Sequence, residues 1–146
     1  MSWKALGNIL LLVIVAVVLI TFYQVDRDHR TRDLATEGWR LARLIGDRLP
    51  AGATGQTRGP EDATKYLPGG AKDLPAHIES IWIVKDGLVV VRFKSPEALS
   101  GKSLEIRITG KDGKFQRECR APQIDPGLLP AFCRPDAMPS TVEAPK

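Results

Sequence analysis

The residues with the most specific chemistry in this chain are its two cysteines, Cys119 and Cys133, which are separated by 13 residues that include three prolines. The sequence has no Cys-x-x-Cys pair, and His29 and His77 are far from both cysteines along the chain. A zinc site would therefore lack ligands. Because the pair follows a long apolar segment, it predicts one disulfide formed in an oxidising compartment.

The remaining polar residues form no catalytic pattern. No nucleophile is accompanied by a recognisable base and orienting group, and no run of histidine, cysteine and carboxylate residues has metal-ligand spacing. The sequence therefore predicts a protein that is not an enzyme, with no cofactor and no metal site.

The apolar segment near the N-terminus has the length of a membrane span. Every residue from 9 to 20 is apolar, and the 21 residues from Ala5 to Val25 would cover about 31 Å as a helix. Trp3 and the pair Phe22-Tyr23 occupy positions typical of the membrane interface. No Ala-x-Ala-like site follows the segment, which favours a signal anchor over a cleaved secretory signal.

Hydrophobic periodicity predicts a helix followed by a sheet. An apolar stripe at helical spacing continues the helix to Pro50 and comprises Leu34, Leu41, Ala42, Ile45 and Leu49. Four short strands follow between residues 78 and 120, and Asp86-Gly87 is typical of a type I′ hairpin turn. The stripe would cover one face of this sheet, giving an α+β fold.

These patterns divide the chain into six segments. The predicted segments are an N-terminal flank (1–5), a transmembrane helix (6–25), the continuation of that helix outside the membrane (26–49), an irregular loop (50–75), the sheet with its disulfide loop (76–134) and a disordered tail (135–146).

The formal net charge is +4 and the isoelectric point is about 9.3. A basic stripe on the sheet would provide a weak nucleic-acid footprint, formed by Lys94, Lys102, Arg107, Lys111, Lys114, Arg117 and Arg120. Acidic residues are interspersed with these positions, so an ordinary solvated sheet face is the favoured interpretation and nucleic acid is the alternative partner.

The order of these elements resembles the type IV pilin family. The resemblance covers about 57 residues, from Ile78 to Arg134. His-Ile-Glu-Ser-Ile-Trp-Ile-Val-Lys-Asp-Gly-Leu-Val-Val-Val-Arg-Phe, starting at His77, resembles the first hairpin of the family, and Leu-Pro-Ala-Phe-Cys-Arg, ending at Arg134, resembles its closing motif. The resemblance implies a long N-terminal helix packed on a four-stranded antiparallel sheet that ends in a disulfide loop.

The N-terminus departs from the pilin pattern. Pilins carry a glycine at the point of leader cleavage and, a few residues later, a membrane-embedded glutamate that pairs with the terminal amine of a neighbouring subunit. Here the candidate cleavage point is Gly7, and the position of the glutamate falls on Leu12. No acidic residue precedes Asp26.

The resemblance therefore implies a pilin-like protein of the type IV pilus system, with a structural or accessory role in pilus assembly and with other pilins or assembly proteins as partners. The alternative is a minor pilin that is cleaved after Gly7 and enters the filament, with a capacity to bind DNA or surfaces. Lysine and arginine counts favour a cytoplasmic domain, because Arg27, Arg30 and Arg32 follow the span. The cysteine pair and the resemblance favour the periplasm, and we expect a single-pass inner-membrane protein with a periplasmic domain.

Overall fold

The computed structural model describes residues 3–49, 60–84, 87–111, 114–136 and 140–143 and has the expected α+β, pilin-like layout. It contains helix α1 (Trp3–Arg48) and strands β1 (Glu61–Asp62), β2 (Ile78–Val84), β3 (Leu88–Phe93), β4 (Ser103–Lys111), β5 (Lys114–Arg120) and β6 (Ser140–Glu143). The chain divides into two compact units, Met1–Arg30 and Thr31–Lys146.

The strands form one antiparallel sheet in the order β1-β2-β3-β4-β5-β6. The four predicted strands, β2 to β5, are confirmed, and a short strand is added at each edge. The prediction of a disordered tail is wrong for Ser140–Glu143, because this segment pairs with Lys114–Arg117 of β5. Of the loop predicted for 50–75, residues 50–59 lie outside the described residues, and the remainder contains β1 and two 3-10 turns, Thr64–Tyr66 and Gly70–Asp73.

The alternation of side chains along the strands sends one set into the core. Ile81 and Ile83 of β2, Val89 and Val91 of β3, and Ile106 of β4 are all buried, whereas the residues between them point to the opposite face. Gly87 has a positive φ of 68°, which suits the tight connection between β2 and β3. Asp86, the other residue of the predicted hairpin turn, lies outside the described residues.

The C-terminal part of α1 covers this core with a face made mostly of small residues. Ala35, Gly38, Ala42 and Ile45 are buried at helical spacing. A Cβ atom added to Gly38 would lie 2.7 Å from Cζ of Phe93, so the helix backbone lies directly against the sheet at this point. The predicted packing of the helix stripe on the sheet is confirmed, with Leu34, Leu41 and Leu49 packed at the edges of the core.

Candidate functional site

In the first unit, Met1–Arg30, the large hydrophobic side chains that the structure describes are all exposed. By length and composition, this part of α1 is long and apolar enough to cross a membrane. The hydroxyl of Thr21 donates a hydrogen bond of 2.8 Å to the carbonyl of Val17, so its polar group is satisfied within the helix. This is the arrangement that a hydroxyl side chain needs in a lipid environment.

The candidate cleavage residue, Gly7, lies within α1. Apart from the adjacent helix backbone, no described atom lies within 4 Å of the position of an added Cβ, so there is open space beside this glycine. Charged residues follow the apolar segment and pair locally, with Arg30 at 2.9 Å from Asp26 and Arg27 at 3.8 Å from Asp28. Because these pairs are exposed, they contribute little to stability.

The second unit, Thr31–Lys146, contains the predicted disulfide between Cys119 and Cys133, with a Cα–Cα distance of 4.8 Å. Two 3-10 turns, Pro126–Leu128 and Ala131–Cys133, shape the chain between the two cysteines. Asp125 caps the first turn, because its carboxylate accepts a hydrogen bond of 2.8 Å from the backbone of Gly127.

The disulfide loop is attached to α1 by two contacts. The guanidinium of Arg32 donates hydrogen bonds of 3.2 and 2.7 Å to the carbonyl of Gly127. The rings of Trp39 and Phe132 lie with their centroids 4.2 Å apart. Ile124 and Leu129 also enter the core, so the loop completes the hydrophobic core rather than extending from it.

A groove of 410 Å³ lies beside the disulfide. Its apolar lining comes from the loop, and Glu105 and Arg120 are the charged residues among its described lining, which also includes Cys119, Ala121, Pro122, Ile124, Pro126, Leu129, Cys133 and Pro135. This volume lies within the range of small-molecule pockets, but such pockets usually have several convergent polar groups.

The described side chains of the predicted basic stripe do not share a single surface. Lys102 and Lys111 flank or end β4 and are therefore roughly 30 Å apart along the strand. Arg107 lies in the middle of β4 on the outer face. Arg120 is also on that face, where it binds Glu118 at 2.5 Å. Lys94 is exposed after β3, and the side chains of Lys111 and Lys114 lie outside the described residues.

Arg117 points to the opposite side of the sheet from Arg107 and Arg120. Its side chain is 14% exposed and forms an ion pair with Asp47 of α1, which also lies 3.8 Å from Arg43. Arg117 is therefore not exposed beside Arg107 and Arg120. The alternation along β5 could have revealed this, because Arg117 and Cys119 lie on the same face of the strand and the β4 partner of Cys119, Ile106, is buried.

A second contact between helix and sheet was not anticipated from the sequence. Nε2 of His77 lies 3.4 Å from a carboxylate oxygen of Glu37 on α1, and the imidazole stacks against Phe93 with a centroid distance of 6.4 Å.

Within the described parts of the chain, no group of three or more histidine, cysteine, aspartate or glutamate residues is placed to hold a metal ion. No protein-family model and no curated protein matches the sequence.

Proposed function

We propose that this chain is a membrane-anchored, pilin-like protein with a structural or accessory role in the assembly of type IV pili. The observation that carries the proposal is the double use of α1. One part of the helix is an exposed apolar segment of membrane-spanning length, and another part packs through small residues on an antiparallel sheet. The sheet ends in a disulfide loop that is attached to the same helix.

The disulfide supports a periplasmic location for the second unit, because such bonds persist in oxidising compartments. Partners within this proposal are other pilins or pilus-assembly proteins. The sheet favours protein partners over nucleic acid, since acidic and basic residues alternate on its outer face and Arg117 is withdrawn into an ion pair.

The proposal favours an accessory role over that of a bulk filament subunit. Leu12 stands at the position where pilins carry their membrane glutamate, and no acidic residue precedes Asp26. The terminal amine of a neighbouring subunit would have no carboxylate partner in the membrane. An unpaired ion in that environment costs several kcal/mol, so efficient polymerisation is disfavoured.

The experiment is mass spectrometry of the N-terminus, combined with fractionation of inner membrane and sheared pili. We expect the full-length chain in the inner membrane and little of it in sheared filaments. The variant G7L is the control, because it should leave the mass of the N-terminal peptide unchanged apart from the substitution. A wild-type product that starts at Asn8, is abundant in filaments and disappears in G7L would instead establish the processed minor pilin.

A further inference from the structure

The outer face of the sheet carries two adjacent rows of side chains that are in register across four strands. The first row runs from Trp82 through Val90 and Glu105 to Arg120, which are successive Cα partners on β2, β3, β4 and β5. The second row lies two residues away on each strand. Both rows point away from the core, because the residues between them on β2, β3 and β4 are buried.

The second row runs from Val84 through Leu88 and Arg107 to Glu118, again as successive Cα partners. Each strand therefore presents a matched pair to the outer face. On β2 and β3 both members of the pair are apolar, and Trp82 is 40% exposed. On β4 and β5 each pair combines one acid with one base.

We propose that this outer face binds a second copy of the chain, face to face. The two copies are related by a two-fold axis that lies midway between the two sheets, parallel to them and perpendicular to the strands. Such an axis exchanges the two rows. Glu105 then faces Arg107 of the second copy, and Arg120 faces its Glu118. The same rotation places the apolar pairs of β2 and β3 against each other.

The arrangement of charges favours a second copy of the chain as the partner. The four charged residues form a checkerboard, because Glu105 is the Cα partner of Arg120 and Arg107 is the Cα partner of Glu118. A uniformly acidic or basic partner would meet like charge at two of these four residues, whereas in the rotated copy each of the four faces an opposite charge. Ser103 and Thr109, the flanking residues on β4, are small and neutral and would face each other across the same axis.

The surface is small, since four strands span only about 14 Å between the outermost Cα positions. A face of this width buries less surface than a stable dimer interface, so the association should be weak and is best captured by cross-linking. The probes are the variants S103C and T109C, because both native cysteines are consumed by the disulfide. Two sheets packed about 10 Å apart would bring these two positions together across the axis.

The experiment mixes two full-length chains in detergent micelles: the S103C variant carries one affinity tag and the T109C variant carries another. A short bismaleimide then cross-links cysteines that lie close together. We expect S103C–T109C products in clear excess over S103C–S103C products, which the proposed register holds about 20 Å apart. The variant E105R should reduce cross-linking at least about tenfold, because it faces Arg107 of the second copy. The exposed loop variant E97R is the matched control and should cross-link like the wild type.

Full inversion of the checkerboard, E105R/R107E/E118R/R120E, restores every opposite-charge pair within and between chains. This variant should cross-link with itself and not with the wild type. Equal S103C–T109C and S103C–S103C products, or an E105R variant that cross-links like E97R, would overturn the proposal. Mixed products between inverted and wild-type chains would overturn it as well, since they would show association through another surface such as the apolar helix.

Discussion

At Gly38 of α1, a hydrogen atom occupies the position where any other residue would place a carbon against the sheet. An added Cβ would lie 2.7 Å and 2.9 Å from two ring carbons of Phe93, whose side chain is completely buried. The sequence pattern identified the larger members of the helix stripe but not this contact. Periodicity of apolar bulk gives no weight to glycine, although glycine here sets how closely the helix approaches the sheet.

We therefore predict that G38A destabilises the protein, even though alanine is the better helix former by about 1 kcal/mol. Overpacking against Phe93 should dominate and lower the free energy of unfolding by about 1–3 kcal/mol. Denaturant unfolding in micelles measures the effect. G7A is the control, because its Cβ meets no atom within 4 Å. If G38A were as stable as G7A, the close approach of α1 to Phe93 would be refuted.

The ion pair between Arg117 and Asp47 provides a second test at single residues. We predict that D47A lowers the free energy of unfolding by about 1–3 kcal/mol, because it leaves the largely buried guanidinium without its carboxylate. The matched control is E118A, which removes the partner of the exposed Arg120 and should change stability by less than about 1 kcal/mol. Equal effects in both variants would place Arg117 in solvent.

At the level of elements, the sequence predicted the parts of the sheet that carry their own pattern. Strands β2 to β5 alternate apolar and polar residues or are rich in β-branched side chains, and all four lie between residues 78 and 120, as predicted. The edge strands β1 and β6 have no such pattern. Glu61–Asp62 and Ser140–Glu143 become strands because they pair with the free edges of β2 and β5, which is a tertiary effect.

The disulfide constrains the loop between Cys119 and Cys133. We predict that C119S/C133S lowers the free energy of unfolding by about 3 kcal/mol, since the bond closes a loop of this size in the unfolded chain. Thiol labelling under native and denaturing non-reducing conditions checks the bond itself. W39A, which removes the ring packed on Phe132 but keeps the bond, separates loop docking from loop closure. Two labelled thiols in the native protein would contradict the bond.

For the whole molecule, the sequence presented two signals that conflict. Arg27 and Arg30 follow the apolar segment and favour a cytoplasmic second unit, whereas the disulfide favours an oxidising compartment. The structure adds that a third arginine, Arg32, is engaged by the fold, because its guanidinium binds the carbonyl of Gly127 in the disulfide loop. The disulfide, which lies outside the apolar segment, is therefore the observation on which a prediction of the membrane side rests.

We predict that the second unit is periplasmic, because the disulfide is part of its folded core and Cys133 is buried there. Alkaline phosphatase fused after Lys146 should be active, since that enzyme needs its own disulfides, and a reporter that fluoresces only in the cytoplasm should be dark at the same position. The variant R27Q/R30Q should not lower phosphatase activity, because it removes the charges that oppose this orientation. Fluorescence without phosphatase activity would reverse the assignment and leave the disulfide without an oxidising compartment.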